Sequence, residues 1–316
     1  MQFSKTCVIS VSYKNSADTA ACVRSLFAST VPVETVVVDT TPYDMELENA
    51  LGFVPDLSVI HATENVGFGC GNNLGIDWAL GHTVCEFLFL LNNDAIVLPD
   101  SIERLECAMA AHPDVGIMAP RIAYLDAPAI LWYGGGEIDW RRASVYTPGH
   151  NRAANAQIAM TERDVSFATG CALFIRRSAM EKLNGFDPRF FMYEEDVEFC
   201  LRAREKQIRI RYIPQSLILH RVQGSSRDAM THREEFWSVN NASLPFYAFH
   251  VMRNRLLNVY LHAHGGQRFT AMVFFPLMLL RRAVPFLIGG RLDAVVAMFK
   301  GIAESSRALK KNARMQ

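Results

Sequence analysis

Apolar and polar residues follow two different periods along the first 120 residues of the chain. Runs of apolar and β-branched residues, typical of strands buried on both faces, occur at residues 7–11, 35–39, 57–61, 87–91 and 115–119. Helical periods separate these runs, and Asp100 with Glu103 predicts a capping box at the start of a helix over residues 101–111. Strands that alternate with helices predict βαβ units and an α/β fold with a mostly parallel sheet.

The second half of the chain is less regular. Residues 123–161 are rich in Gly, Pro and Arg, which favours loops and short strands. Regular elements are predicted at residues 165–176, as a helix at 195–206, as two short strands at 208–213 and 216–220, and as helices after 236.

Composition restricts the class of protein. Half of the 316 residues are hydrophobic, and 32 basic residues balance 32 acidic ones, so a large core is available and a nucleic-acid binder is not indicated. The seven cysteines form no C-x-x-C pair, which favours reduced core thiols in a cytosolic protein over disulfides or a zinc site. The N-terminal sequence enters a strand-like run almost at once, without the apolar region of a signal peptide.

The stretch "FLFLLNNDAIVLPD" places Asn92, Asn93 and Asp94 between two apolar runs. Ligands of open α/β sheets bind beyond the carboxyl ends of the strands, and burying an unpaired carboxylate is unfavourable. A strand-end aspartate can hold a divalent cation that also binds substrate phosphates. The alternative is an ordinary strand end with Asx turns.

The segment "ENVGFGCGNNLG" carries Gly67, Gly69 and Gly71. A dinucleotide-binding fingerprint would need glycine at position 72, where the chain has Asn72, so that interpretation fails. Glycines before a helix still let the backbone approach a phosphate or a sugar. A simple loop-to-helix turn is the alternative.

Three consecutive acids, Glu194, Glu195 and Asp196, begin the helix predicted in "FMYEEDVEFCLRAREK". Acids suit the positive end of a helix dipole, and Asp196 is expected to be able to cap this helix. Neighbouring carboxylates can also raise the pKa of one member of the group toward the value that a general base needs. His220 ends a later apolar strand and becomes a metal-ligand candidate only if it converges with Asp94.

Together these segments resemble the inverting glycosyltransferases of family 2, which have the GT-A fold, and in particular the bacterial rhamnosyltransferase-like branch. The resemblance rests on "VISVSYKN", "VVVDTT", "NVGFGCGNNLG", "FLLNNDAIVLPD", "ATGCALFIRRSAMEKLNGFDPRFFMYEEDVEFCLRAREKQIRIRYIPQSLILH" and "HRVQGSS", which follow one another over roughly residues 6 to 228. The resemblance implies a domain of residues 1–235, with a nucleotide-binding half (1–120) and an acceptor half (121–235).

The resemblance also implies residue roles. Tyr13 and Asp39 hold the nucleotide, with Asp39 accepting from the N3–H of the base, and a loop from Asn65 to Asn72 lines the donor pocket. The full set of implied donor-binding residues is Ser12, Tyr13, Asp39, Asn65, Gly67, Phe68, Gly69, Asn72, Asn92 and Asn93.

The implied metal ligands are Asp94 and His220, with Mg²⁺ or Mn²⁺ as the ion. Asp196 is the implied catalytic base, with Glu195 beside it as the other candidate. Asn92 stands where the family's D-x-D motif has its first aspartate, so the number of direct metal contacts is open. The segment "VVVDTTPYD" also lacks the Asp-Asn-x-Ser often found after that strand.

The resulting function is sugar transfer from a nucleotide diphosphate to a cell-surface polysaccharide or polyprenyl-diphosphate-linked glycan. The branch favours dTDP-rhamnose as donor, with UDP-linked hexoses as rivals. A sugar nucleotidyltransferase is the first alternative, although "SYKNSAD" lacks the glycine-rich phosphate loop expected after its first strand. The second is a non-catalytic scaffold, which should have lost the acids that this chain retains.

Residues 236–316 are predicted to be a helical, membrane-associating region. Its nearest apolar run, residues 271–280, stops at Arg281 and Arg282 and is too short to span a bilayer. An apolar body with basic side chains suits a helix that lies on anionic lipid, so we expect a cytoplasmic protein that is peripheral at the inner face of the plasma membrane. The alternative is a helix pair packed on the catalytic domain or in a homodimer interface. The basic residues are Arg268, Arg281, Arg282, Arg291 and Lys300.

Overall fold

The computed structural model describes residues 4–42, 45–52, 54, 57–141, 143–222 and 241–312. Its strands are β1 (Thr6–Ser12), β2 (Val33–Asp39), β3 (Leu57–His61), β4 (Phe87–Leu91), β5 (Ala95–Val97), β6 (Val115–Tyr124), β7 (Leu131–Tyr133), β8 (Glu137–Asp139), β9 (Ser144–Tyr146), β10 (Arg163–Asp164), β11 (Ala172–Arg176) and β12 (Arg209–His220). Its helices are α1 (Ser16–Phe27), α2 (Glu46–Leu51), α3 (Gly67–His82), α4 (Ser101–Ala111), α5 (Gln157–Met160), α6 (Arg177–Leu183), α7 (Glu195–Glu205), α8 (Leu244–His262), α9 (Gly266–Ile288) and α10 (Leu292–Asn312).

One sheet organises the chain, with strands in the order β10-β12-β6-β11-β4-β1-β2-β3. Its longest pairings, β6 with β12 and β1 with β2, are parallel, whereas β11 lies antiparallel between β4 and β6. The short β5 pairs with β12, and β8 with β9 forms a separate hairpin. The predicted α/β fold with a mostly parallel sheet and helical C-terminal region is confirmed.

Local predictions succeed where an apolar run has clear ends, although β3, the last strand in the sheet order, is only partly buried and not buried on both faces as expected. Strands β3 and β4 and helix α4 have the predicted bounds. Helix α7 buries Val197, Cys200 and Leu201, as its spacing predicts. Five of the seven cysteines are buried, in agreement with core thiols.

The predicted capping box at α4 is wrong. Asp100 occupies the N-cap position but makes no capping hydrogen bond with its side chain. Its carboxylate instead accepts from the Arg104 guanidinium at 2.7 Å, and Glu103 accepts from the Thr30 hydroxyl at 2.7 Å. The two carboxylates therefore bind side-chain donors and not the backbone N–H groups that they would bind in a capping box.

The two short strands predicted at 208–213 and 216–220 are one strand, β12. Its pairing with β6 shifts register between Ile213 and Leu217, around Pro214. Because proline cannot donate to a ladder, it is accommodated at such an irregularity. The strand continues through the proline to reach His220.

The loop predicted from Asn65 to Asn72 is wrong from Gly67 onward, because α3 begins there. Gly67 has φ +81°, and a Cβ at this position would lie 2.1 Å from the carbonyl oxygen of Phe191. A Cβ at Gly71 would lie 2.9 Å from Val11 of β1. These glycines let a helix approach its neighbours closely.

The C-terminal helices form a second, smaller core. Leu244, Ala248 and Met252 of α8 pack with Met278 and Phe286 of α9 and with residues of α10. Helix α8 also contacts α7, where His262 lies 3.5 Å from Glu198. The predicted domain boundary at residue 235 falls outside the described residues, as does most of "HRVQGSS".

Helix α9 is longer than its apolar run indicated. It continues through Arg281 and Arg282 and is 23 residues long in all. The expectation that this segment is too short to cross a membrane is therefore wrong on length. Among the described helices, α9 is one whose length and composition would allow it to cross a membrane. In the structure, 22% of its most apolar stretch is buried.

The close approach at Gly67 predicts a large effect of a single methyl group. Gly67→Ala should lower the free energy of unfolding by roughly 2–4 kcal/mol, because the new Cβ combines a left-handed φ with overlap at Phe191. Gly81→Ala is the matched control in the same helix, since a Cβ there meets nothing within 4 Å and should stabilise by up to about 1 kcal/mol. Urea unfolding of both variants measures the difference, and equal midpoints would contradict the packing argument.

Candidate active site

The carboxyl ends of β1, β2 and β4 meet at one edge of the sheet. Ser12 of β1 pairs with Asp39 of β2, and β1 runs parallel to β4, whose end leads into Asn92 and Asp94. Strand β12 ends at the same edge, where His220 pairs with Ala95 of β5. The topology therefore brings strand-end residues predicted from separate motifs into one region.

Asp39 has a carboxylate oxygen available for a ligand. Its side chain is almost fully buried, and Oδ1 accepts from the backbone N–H of Thr41 at 2.9 Å. Within the described chain, Oδ2 has no hydrogen-bond partner, and the Nδ1 of His61 lies 3.6 Å away. A buried carboxylate oxygen in this state can accept a hydrogen bond from an N–H group of a ligand.

The neighbouring polar residues differ in what they can contact. The Ser12 hydroxyl and the Asn93 amide both hydrogen-bond Thr19 of α1 at 2.9 Å, so they brace that helix against the sheet. Tyr13 is 38% exposed, and the ammonium group of Lys14 lies 5.3 Å from its ring centroid. An exposed tyrosine beside a lysine can stack on a nucleobase and approach a phosphate.

The polar residues at and just before the start of α3 make local hydrogen bonds within that segment. Asn65 accepts from the backbone N–H of Gly67 at 3.0 Å, and buried Asn72 donates to the carbonyl oxygen of Phe68 at 3.0 Å. A Cβ at Gly69 would lie 3.2 Å from Phe186, so this glycine allows close packing. The Phe68 ring lies beside Gly170, where an added Cβ would lie 3.0 Å from the ring and 3.4 Å from the Cβ of Asp196.

Asp94 and His220 converge. Asp94 Oδ1 lies 3.0 Å from His220 Nε2, both side chains are largely buried, and Trp132 contacts the imidazole edge-on at 4.6 Å. Burial lowers the pKa of His220, but Cys171 and Asp94 raise it by more, to about 10. The pair can ligate a divalent cation once the imidazole loses its proton.

The described residues contain no group of three or more His, Cys, Asp or Glu side chains arranged around a metal ion. A cation held by Asp94 and His220 would therefore need further oxygen ligands from a substrate or water, as Mg²⁺ commonly does. Arg221 lies beside this pair. Its backbone N–H donates to the Asp94 carbonyl at 3.0 Å, and its guanidinium lies 3.1 Å from Asp18.

The predicted cap at Asp196 is wrong. Glu194 occupies the N-cap position of α7, and Asp196 Oδ2 accepts from the backbone N–H of Gly170 at 2.9 Å. The carboxylate is thereby directed toward the segment that precedes β11. The next residue of that segment, Cys171, accepts from the backbone N–H of Asn92 at 2.9 Å. Through the Gly170 N–H and the Cys171 carbonyl, these two residues connect Asp196 to the Asp94 loop.

Glu195 and Asp196 have different acidities. Burial, followed by the charge of Asp196, raises the pKa of Glu195 well above its usual range, and its Oε2 has no hydrogen-bond partner among the described residues. Burial also raises the pKa of Asp196, to about 6, while the Gly170 N–H opposes this rise. Burial therefore favours the protonated form of Glu195, whereas Asp196 ionises above about pH 6 and can then accept a proton.

A set of α8 residues that sequence reasoning missed holds the loop before these acids. Tyr193 and Glu194 have left-handed φ values of 65° and 67°. The Asn254 amide donates to the carbonyls of Met192 and Tyr193 at 3.0 and 2.8 Å, and Asn258 donates to that of Glu194 at 3.1 Å.

The Arg255 guanidinium completes this set, which we call the α8 clamp (Asn254, Arg255 and Asn258). It donates to Glu194 Oε1, with Nε at 3.1 Å, and both side chains are largely buried. The sequence signal was "RNRLLN", which places amides and an arginine on one side of an otherwise apolar helix. Buried polar groups of this kind require partners.

Comparison with known proteins agrees with this architecture. Residues 87–299 match the family described as glycosyl transferase family group 2. The chain is 26% identical over 247 residues to the N-acetylglucosaminyl-diphospho-decaprenol L-rhamnosyltransferase of Mycobacterium tuberculosis, over 71% of this chain and 79% of that protein. It is 26% identical over 208 residues to the low-salt glycan biosynthesis hexosyltransferase Agl10 of Haloferax volcanii, over 64% of this chain and 62% of that protein.

Solved structures show the same fold. Residues 1–349 of S. aureus TarS in complex with UDP-GlcNAc align with a TM-score of 0.59 at 15% identity, over 96% of this chain and 81% of that one. The mannosyltransferase PcManGT of Pyrobaculum calidifontis, in complex with GDP-Man and Mn²⁺, aligns with a TM-score of 0.55 at 14% identity, over 99% of this chain and 81% of that one. The chain belongs to glycosyl transferase family group 2 and is a glycosyltransferase with the GT-A fold.

Proposed function

We propose that the protein is a metal-dependent inverting rhamnosyltransferase that uses dTDP-rhamnose and a lipid-linked glycan acceptor. The observation that carries the proposal is the pair of residues Gly170 and Cys171. The Gly170 N–H donates to Asp196 and the Cys171 carbonyl oxygen accepts from the N–H of Asn92, so two adjacent residues connect the candidate base to the loop of the candidate metal pair. A sugar bound between them would have its leaving group and its attacking hydroxyl on opposite sides.

The donor nucleotide is assigned to the edge formed by β1 and β2. The free Oδ2 of Asp39 accepts the N3–H of a thymine or uracil base, and Tyr13 covers the base from the solvent side. With the imidazole deprotonated, Asp94 and His220 would hold a divalent cation, Mg²⁺ or Mn²⁺, and this ion would supply positive charge to neutralise the diphosphate. Arg221 lies beside Asp94 and can pair with a phosphate oxygen.

Asp196 carries the proton transfer. It accepts the proton of the acceptor hydroxyl as that oxygen forms a bond to the anomeric carbon. At the same time, the bond between the anomeric carbon and the diphosphate oxygen breaks, and the diphosphate departs with the electron pair. Attack from the face opposite the leaving group inverts the anomeric centre. The raised pKa of Glu195 favours its protonated form, in which it can donate a hydrogen bond without adding a second negative charge.

The rhamnosyl donor and lipid-linked acceptor rest on likeness in sequence. The name of the Mycobacterium tuberculosis relative describes an L-rhamnosyltransferase acting on a diphospho-decaprenol, and the aligned region covers most of both chains. UDP-linked hexoses remain the rival donors, since Agl10 is described as a hexosyltransferase. A thermal-shift comparison of dTDP-rhamnose with UDP-hexoses tests this choice, because a ligand at 100 times its Kd adds about 2.7 kcal/mol of stability.

The outer face of α9 supports a peripheral position on the cytoplasmic side of the plasma membrane. This outer face comprises the exposed apolar residues Phe269, Met272, Val273, Phe274, Leu277, Leu280, Val284, Leu287 and Ile288. Ala271, Met278 and Phe286 pack inward, so one side of the helix belongs to the protein core and the other is available to lipid. A homodimer that covers the same face is the alternative.

Asp94→Ala should weaken nucleotide-sugar binding and turnover together, with the fold intact. The variant removes a carboxylate from the cation, so the diphosphate charge is no longer compensated. Titration calorimetry with dTDP-rhamnose, with and without Mg²⁺, measures the effect. Asp77→Ala is the matched control because Asp77 is exposed on α3, and metal-dependent affinity that survives in Asp94→Ala would refute the role.

Asp196→Asn should reduce turnover by about 10²–10⁴-fold while donor affinity is retained, because the amide cannot accept a proton. Glu195→Gln should lose less, since the raised pKa of Glu195 favours a neutral carboxyl, which an amide resembles. In the parent enzyme, kcat/KM should fall as pH drops through about 6, where Asp196 becomes protonated. Asp196→Asn should lose this step, and the opposite ranking of the two variants would make Glu195 the base.

Membrane association should depend on the outer face of α9. The double substitution of Leu280→Gln and Leu287→Gln should reduce flotation with anionic vesicles, because it removes exposed apolar surface without touching the core. Binding of the parent should weaken as salt rises, owing to screening of the basic side chains. Phe27→Gln, an exposed apolar position on α1, is the control, and a parent that never floats would exclude the membrane assignment.

A further inference from the structure

A basic cavity of about 390 Å³ lies among the β8–β9 hairpin, α8 and α9. Four arginines line it: Arg141, Arg255, Arg281 and Arg282. Arg141 and Arg281 are exposed, whereas Arg255 and Arg282 are set deeper in the protein. The membrane-surface role expected of Arg281 and Arg282 and the α8 clamp role of Arg255 do not account for the convergence of four arginines on one cavity.

The cavity carries unbalanced positive charge. No acidic side chain lines it; Glu194 pairs with the Arg255 guanidinium, and Asp139 accepts from the backbone N–H of Arg141 at 2.9 Å. Arg282 donates to the Tyr247 hydroxyl at 3.2 Å, a neutral partner. Across the described parts of the chain, Arg141 and Arg281 have no carboxylate within ion-pair distance. Three positive charges are therefore left over.

One wall of the cavity is apolar and continues onto an exposed surface. Phe274, Leu277 and Met278 of α9 line it, and Leu277 is also 54% exposed on the outer face of that helix. A ligand whose anionic end contacts the arginines would therefore have its remainder on hydrocarbon side chains. Arginine forks bind phosphate oxygens in pairs, so a phosphate or diphosphate with a hydrocarbon tail matches both parts of the site.

Arg255 connects this cavity to the acids. Its guanidinium lines the cavity and also bonds Glu194, the residue immediately before Glu195 and Asp196. An anionic group in the cavity is thus connected to Asp196 through the Arg255–Glu194 ion pair and the two residues of chain that follow Glu194. A phospholipid that merely anchors the protein has no need of this proximity, whereas a substrate does.

We infer that this cavity binds the diphosphate of a lipid-linked acceptor, with its hydrocarbon chain along the outer face of α9 and its sugar directed toward Asp196. The inference rests on the proposed function and gives it a location for the acceptor. Arg141 and Arg281 make the exposed phosphate contacts, and Arg282 with Arg255 forms the deeper end.

The test is direct binding of farnesyl diphosphate to the full chain in mild detergent, in EDTA so that no metal site at Asp94 contributes. The parent should bind it, and Arg141→Gln and Arg281→Gln should each weaken binding by about tenfold, the value expected for one lost charge-assisted hydrogen bond. Arg307→Gln, an exposed arginine on α10 away from the cavity, is the matched control and should bind as the parent does.

Farnesol and inorganic pyrophosphate separate the two halves of the ligand, and both should bind far more weakly than farnesyl diphosphate. Pyrophosphate binding as tight as that of farnesyl diphosphate would overturn the lipid assignment. Phosphatidylglycerol vesicles that displace farnesyl diphosphate at equal lipid concentration would make the cavity a general lipid anchor, which also overturns the inference.

Donor titrations on the same proteins distinguish this inference from the proposed function. The arginine variants should bind dTDP-rhamnose with Mg²⁺ as the parent does and should raise the KM for a lipid-linked acceptor. Unchanged farnesyl diphosphate affinity in both variants would refute the cavity while leaving donor binding through Asp94 intact. A parent that binds farnesyl diphosphate through these arginines but no nucleotide sugar would refute the proposed transfer and support the ligand class of the cavity.

Discussion

The buried ion pair between Glu194 and Arg255 is the interaction on which the rest of the site depends. Two consecutive left-handed residues, Tyr193 and Glu194, are unfavourable by about 1–3 kcal/mol each, so the turn needs external support. The α8 clamp supplies it through two amides and one guanidinium. Removing one partner of a buried pair typically destabilises by about 3–5 kcal/mol, because the other charge stays buried.

The turn fixed in this way determines the chemistry of the next two residues. Glu195 is buried, and its Oε2 has no hydrogen-bond partner among the described residues. Asp196 Oδ2, in contrast, accepts from the backbone N–H of Gly170. The backbone N–H groups of Gly170 and Val197 both donate to Asp196 and oppose the rise of its pKa, which reaches about 6, whereas burial and the charge of Asp196 raise the pKa of Glu195 well above its usual range. Adjacent residues in the sequence thus acquire distinct acid–base properties from the direction in which the chain enters α7.

Much of the sheet and part of the site could be predicted from the sequence. The run 87–91 is apolar throughout and ends at amides, so both the strand and the polar loop were visible. The convergence of Asp94 with His220 followed from the family resemblance, since no local pattern relates residues so distant in the chain. Strand β12 was divided in two because Pro214 breaks the local period, although pairing with β6 carries the strand past it.

The α8 clamp shows why the remainder could not be predicted. Asn254 and Asn258 bond carbonyls about sixty residues earlier, and nothing in either segment specifies the other. Capping failed for a related reason, because Asp100 and Asp196 found donors on a side chain and on a distant loop. The hydrogen-bond partner of a polar side chain depends on which groups the folded chain brings near it, and the local sequence does not specify those groups.

The clamp also has a consequence for exchanging parts between proteins of this fold. Helix α8 contributes to the C-terminal core with one side and holds the turn before the acids with the other, so it is a component of two modules at once. A chimera joined between β12 and α8 would bring an arginine to a turn that lacks its glutamate, or a glutamate to a helix that lacks its arginine. Residues 189–198 and α8 therefore form one unit of exchange, although some fifty residues of chain separate them.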